Sequence, residues 1–271
     1  MSSSPLSPPP AVQGLSAPTN GAPSLQAEPG LSEPHRLRLA AVQARIETAC
    51  RAAARQPDTV RLLAVSKTFP VEEVRALAAL GQHAFGENYL QEALDKIAAL
   101  QADAPQGVGI EWHFIGPIQS NKTRPIAEHF DWVHSVDRLK IATRLSEQRP
   151  AGLSPLQVCL QVEVSDEDTK SGCTPQEAPA LGAQIAALPG LTLRGIMAIP
   201  APTDDPAQQR DQFRRVREVF EAVRRALPAG ATEAFDTLSM GMSGDLEAAI
   251  AEGSTVVRVG TALFGARSAR P

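Results

Sequence analysis

Two hydrophobic rhythms alternate along the chain. Over residues 37–55, "LRLAAVQARIETACRAAAR", apolar positions recur at three- and four-residue steps among strong helix formers, which predicts a leading helix. From there, short apolar runs of strand length take turns with longer amphipathic segments. The strand-like runs are "VRLLAVSK" (60–67), "HAFGEN" (83–88), "IEWHFIG" (110–116), "WVHSVD" (132–137), "LQVCLQVEV" (156–164), "LRGIMAIP" (193–200), "DTLSMG" (236–241) and "TVVRVGTALFG" (255–265). Helical patterns fill 71–80, 89–100, 122–130, 138–148, 175–188, 207–227 and 245–253. In the longest of these, Val216, Val219, Phe220 and Val223 make one apolar face, as an outer helix packed on a sheet would have. Its basic polar face leaves open a scaffold that binds proteins.

Eight strand–helix units in strict alternation call for parallel strands joined by right-handed crossovers. With no GxGxxG turn after the first strand, they fit a (β/α)8 TIM barrel of the α/β class better than an open doubly wound sheet. Residues 35–271 are expected to form this one barrel domain. Residues 1–34 are rich in Pro, Ser, Gly and Ala, and bury too little apolar surface to offset their ordering entropy. A disordered tail is the expectation there. A transit peptide is disfavoured because no arginine precedes Arg36.

Composition narrows the function. A net charge of −4 offers no reason to expect nucleic acid or an anionic membrane as partner. No uninterrupted apolar run approaches the roughly 18 residues that span a bilayer, and no secretory signal pattern opens the chain. Cys50, Cys159 and Cys173 are too scattered for a disulfide framework or a metal site, so a reducing cytoplasm is expected.

A barrel of this type carries its site at the C-terminal ends of its strands. Read in turn, those ends give Ser66-Lys67, Glu87-Asn88, His113 with Gly116, His134-Ser135-Asp137, Glu163, Met197 with Pro200, the run from Ser239 to Ser243, and Arg258-Gly260-Thr261. Only five lysines stand among the 26 basic residues, and of them Lys67 alone follows an apolar strand. Burial there would lower its basicity and make it nucleophilic toward a carbonyl. An ion-pair role or a surface position is the plainer alternative. "LSMGMSGD" (238–245) and "VRVGTALFG" (257–265) are Gly/Ser/Thr turns after the last two strands, the slots that frequently hold phosphate. Asp245 could instead cap the following helix. Arg258 alternates with Val257 and Val259 and so faces the other way; inside the barrel it requires a partner, either Glu163 or an aromatic ring nitrogen.

Taken together, "AVSKTFP", "FGENYLQEALDK", "WHFIGPIQSNK", "VHSVD", "LRGIMAIP", "LSMGMSGD" and "VRVGTALFG" resemble the pyridoxal-phosphate homeostasis protein family, single-domain and alanine-racemase-like, from about Leu37 to Arg267. The resemblance implies a fold-type-III barrel holding pyridoxal 5′-phosphate (PLP) as an imine of Lys67. It implies phosphate contacts from Ser243, Gly260 and Thr261, and Arg258 facing the pyridine nitrogen. It places Asn88, His113 and Met242 around the cofactor. Carrier and regulator of PLP is the implied role, with PLP-dependent apo-enzymes as partners, in the cytoplasm. The rival is a racemase of low activity. Racemases of this kind resemble one another in adding a tyrosine from a partner's β-domain; here the sole tyrosine is Tyr89, and a monomer without that domain is expected.

Overall fold

Along every strand the side chains alternate between two faces, and the two sets go to different places. The computed structural model describes residues 32–103, 109–165 and 171–265. Its strands are β1 Arg61–Val65, β2 Ala84–Glu87, β3 Glu111–Phe114, β4 Trp132–Val136, β5 Leu156–Gln161, β6 Leu191–Met197, β7 Thr237–Ser239 and β8 Val256–Val259. They close in chain order into a barrel, with β1 pairing β8 in parallel through Leu63 opposite Arg258. The helices are α1 Ser32–Ala52, α2 Val71–Ala79, α3 Leu90–Asp103, α4 Thr123–His129, α5 Leu139–Gln148, α6 Ala178–Ala186, α7 Pro206–Ala226, α8 Leu246–Ala251 and α9 Thr261–Phe264.

One face of the strands joins the helices in the main core. Ala64, Phe85, Phe114, Val133, Val158, Ile196, Val257 and Val259 belong to it, as do Phe213, Val216, Val219, Phe220 and Val223 of α7. The apolar face read from the α7 sequence is therefore the buried one. Each such side chain, fully buried, contributes about 1.5–3 kcal/mol. Asp205 caps α7 by accepting the Ala207 N–H at 2.9 Å, and Pro206 occupies the first turn, where a missing donor costs nothing.

The other face lines the barrel's interior. There Leu63, Ala84 and Val256 form one small cluster, and Trp132, Cys159 and Met197 another. Between and beyond them, Arg61, Glu111, His113, His134, Ser239 and Arg258 form a polar series that reaches from the base of the barrel to its mouth.

Several boundaries differ from the sequence expectation, and two of them have a clear local cause. Helix α1 starts at Ser32, inside the stretch read as tail, because Pro34 falls in a first turn and Glu33 favours the positive end of the helix. His35 then anchors that turn to α2 through Glu73 at 2.7 Å. The remainder of the expected tail, residues 1–31, lies outside the described residues. The last strand stops at Val259 instead of running to 265: Gly260 leaves extended geometry (φ −112°, ψ −80°), and α9 begins at once. Among the described residues, no helix is long and apolar enough to cross a membrane.

Candidate functional site

Lys67 stands one residue beyond β1's last buried polar position, Ser66, in a turn closed by the Phe69 N–H donating to the Ser66 carbonyl at 3.1 Å. Thr68, at φ +69°, occupies the left-handed region, which costs a non-glycine residue about 1–2 kcal/mol. Phe69 stacks on Phe264 of α9, ring centroids 4.8 Å apart, and so joins this turn to the one after β8.

These turns enclose a cavity of ≈ 320 Å³ at the C-terminal mouth of the barrel. Seven of the eight residues singled out from the sequence line it: Lys67, Asn88, Met242, Ser243, Arg258, Gly260 and Thr261. Half-exposed Ile199 and Met242 stand at its rim. The volume is at the lower end of small-molecule sites.

His113 is the exception. On β3 the inward positions are Glu111, His113 and Ile115, and it is Ile115 that reaches the cavity wall. A strand rises about 3.3 Å per residue, so His113 sits a full layer deeper. It is stacked on Trp132 at 5.4 Å between centroids and is 1% exposed.

There it belongs to a continuous chain of hydrogen bonds. Arg61 meets Glu111 at 2.7 Å, and Glu111 meets His113 Nε2 at 2.6 Å. His113 Nδ1 lies 2.8 Å from His134 Nε2, His134 Nδ1 lies 2.8 Å from Ser239 Oγ, and Ser239 Oγ lies 2.9 Å from Arg258. Donor chemistry gives the chain one direction. Glu111 only accepts, so His113 donates to it; His134 then donates to His113, Ser239 to His134, and Arg258 to Ser239. Every member is satisfied with both imidazoles neutral. Burial accordingly lowers the affinity of both histidines for a proton, His134 strongly, with the nearby Arg258 and Arg61 adding to its shift. Burial alone would push the Glu111 carboxyl up, but the hydrogen bonds from His113 and Arg61, with the Arg61 charge, bring it down to about 2.

Arg258 ends this chain at the floor of the cavity, 5% exposed. It donates to the Ser239 carbonyl at 2.5 Å and the Ala198 carbonyl at 2.9 Å, not to Glu163, whose carboxylate accepts the Ser165 N–H at 2.6 Å. Burial lowers its pKa to about 10, against the pull of Asp245, and it remains a cation at neutral pH.

Part of the lining is backbone from the turns after β7 and β8. Among the described residues, the N–H groups of Ser243, Gly244, Gly260 and Thr261 donate to no backbone carbonyl. Asp245 does not consume them: its side chain turns back to accept the Met242 N–H at 2.5 Å and makes no capping bond to α8. Since α8 and α9 are short, these amides rather than a helix dipole make the wall attractive to an anion. Gly241 shapes the loop, at φ +92° and with an added Cβ only 2.5 Å from the Ala249 Cβ. Gly241→Ala is expected to destabilise the protein by about 1–3 kcal/mol and lower its melting midpoint by several degrees in a thermal scan.

Sequence reasoning missed the support beneath these walls. Arg45 of α1 donates to the Ser243 carbonyl at 2.9 Å and to both carboxylate oxygens of Glu247, which locks the first amide turn from outside. No local pattern marks Arg45, because its partners lie about 200 residues away. A buried Asn88 Oδ1 in the cavity wall has no hydrogen-bond partner among the described residues.

The cavity thus gathers one amine, one buried guanidinium, an unsatisfied carbonyl and a row of free amides. Known proteins share the arrangement's framework. Residues 37–268 match the family model described as alanine racemase, N-terminal domain. A Pseudomonas aeruginosa protein named pyridoxal phosphate homeostasis protein is 63% identical over 229 residues, which is 84% of this chain and 94% of that protein. Among solved structures, a protein of Bifidobacterium adolescentis described as unknown is 35% identical with a TM-score of 0.79, over 88% of this chain and 97% of its own. PipY of Synechococcus elongatus, solved with PLP bound, is 38% identical with a TM-score of 0.67, over 82% of this chain and all (100%) of its own.

Proposed function

Because the chain belongs to the pyridoxal phosphate homeostasis protein family, built on the alanine racemase N-terminal domain, we propose that it binds PLP at this cavity and holds it through a Schiff base to Lys67. The observation that carries the reading is the cavity itself, which gathers an amine, a buried cation and amides that donate to no backbone carbonyl among the described residues. When bound, PLP supplies an aldehyde, a phosphate dianion and an aromatic ring nitrogen. The chain has a group suited to each. Lys67 offers the amine. Ser243, Gly244, Gly260 and Thr261 offer N–H donors, and the Ser243 and Thr261 hydroxyls add to them. Arg258, held as a donor by the Ser239 and Ala198 carbonyls, would face the ring nitrogen and keep it unprotonated, which would restrain the ring as an electron sink.

Carrier, not dedicated enzyme, is the role this geometry supports best. Racemisation requires an acid/base group on each face of the substrate carbon. Among the described residues lining the cavity, Lys67 is the only side chain suited to act as a base, and Tyr89 stands outside the lining, 55% exposed. We read residues 35–271 as one cytoplasmic, monomeric unit that takes up PLP and yields it to PLP-dependent apo-enzymes.

Titrating the protein with PLP and reducing with borohydride tests the reading. A band near the visible edge and a reduced adduct mapped to Lys67 are expected; an adduct elsewhere overturns the assignment. Multiple-turnover loss of optical activity from L-alanine would replace carrier with racemase. Replacing Ser243 by Ala and Thr261 by Val is expected to weaken PLP retention about ten-fold and to leave unphosphorylated pyridoxal nearly unaffected, as measured by dialysis. Equal losses of both would show that these turns do not hold phosphate.

A further inference from the structure

The motif "FGENYLQEALDK" at 85–96 supplies only Asn88 to the cavity, yet three of its charged residues converge behind it. Lys96, on α3, is 5% exposed, and its ammonium has three donors with three acceptors in reach. These are the Ser66 carbonyl at 2.8 Å, Glu87 Oε1 at 2.7 Å and Glu92 Oε1 at 2.7 Å. Both carboxylates pass the contact on. Glu87 Oε1 accepts the Ser66 hydroxyl at 2.6 Å, and Glu92 Oε1 accepts the Thr68 N–H at 2.6 Å.

The residues on either side of Lys67 are therefore tied to one buried ammonium, Ser66 through its carbonyl and hydroxyl, Thr68 through its amide. Such an assembly is costly to bury for stability alone, since apolar side chains of the same volume would often serve as well. Its geometric product is specific. A turn with a left-handed threonine persists only where the surroundings over-determine it, and here every tie ends on a neighbour of Lys67.

We propose that Lys96, Glu87 and Glu92 are positioning residues for Lys67, a clamp that presents its amine to the aldehyde carbon of the cofactor. The inference rests on the PLP-binding reading above. In the step that the clamp serves, the amine's lone pair adds to the aldehyde carbon, and the aldehyde oxygen departs as water with both amine protons. A displaced amine slows that addition without disturbing contacts to the ring or the phosphate.

Two ligands separate this role from a structural one. PLP carries the aldehyde; pyridoxamine 5′-phosphate has the same ring and phosphate but no aldehyde to condense. Lys96→Met removes the ammonium and keeps the stem. It is expected to slow formation of the visible-edge band at least ten-fold and to weaken PLP by a similar factor, while pyridoxamine 5′-phosphate binding stays within two-fold of the original protein. Glu92→Leu, at a half-exposed position, should repeat the pattern if Lys96→Met does not fold, and Glu92→Gln, which keeps an acceptor for Thr68, should restore most of the rate. Equal losses for the two ligands, or no loss for PLP in either variant, overturn the clamp while the binding reading stands. If the unaltered protein forms no band with PLP, the binding reading fails, and the clamp with it.

Discussion

Replacing Lys67 by Ala is expected to abolish the visible-edge band and the borohydride-trapped adduct altogether, while pyridoxamine 5′-phosphate still binds. The two outcomes separate because different parts of the cavity hold different parts of the ligand. The amides of Ser243, Gly244, Gly260 and Thr261 lie in the turns after β7 and β8, the first held from α1 by Arg45, and the Arg258 guanidinium is held by the Ser239 and Ala198 carbonyls. The turn that presents Lys67 is held through the backbone and hydroxyl of Ser66 and the backbone of Thr68, so the alanine variant is expected to fold. Absorbance with and without borohydride, and calorimetry with the aldehyde-free ligand, check the two halves. A trapped adduct that persists in Lys67→Ala would move the reactive amine to another lysine.

Acidification should destabilise the protein at pH values where an ordinary carboxylate is still ionised. His113 and His134 are 1% and 0% exposed, in a hydrogen-bond chain that neutral rings complete. Burial lowers both folded pKa values, and the charges facing the two rings are Glu111, Arg61, Asp131 and Arg258. As pH falls below about 6.5, the unfolded chain takes up protons at these positions that the folded chain refuses, and stability falls with it. The loss continues until each folded pKa is reached. For two such residues it amounts to up to about 3 kcal/mol between pH 7.5 and 5.5. Glu111 acts in the same direction lower down: its stabilisation is complete above the ordinary glutamate pKa and disappears as pH falls through about 2. Urea unfolding at the two pH values measures the effect. A stability that is flat or rises toward pH 5.5 would mean that the histidines accept protons inside the barrel.

How far the site was legible in the sequence depended on how local each signal was. Lys67, Asn88, Arg258 and Gly260 all lie at or just past strand ends on the inward alternation, and counting by twos from the buried valines finds that face. The same count puts His113 on the inward face but cannot give its depth, since depth depends on how β3 is staggered against its neighbours. Glu163 as partner of Arg258 failed for a related reason: the partner came from β7 and the end of β6, where carbonyl groups carry no side-chain signature. Arg45 looks like any solvent-facing helical arginine until α1 is laid across α8.

The alternation of strand and helix, the parallel sheet and the turns at its mouth were legible in the amino-acid order alone, which favoured a closed sheet over an open one. Backbone periodicity and glycine placement act over a few residues and hold in any surroundings. Which polar groups meet inside the barrel was decided only when the sheet closed. The Lys96 clamp, the Arg61-to-Arg258 chain and the Arg45 lock each depend on bonds between residues 19 or more positions apart, up to 202, and they exist because burial forces each polar group to find whatever partner the closed fold brings within about 3 Å.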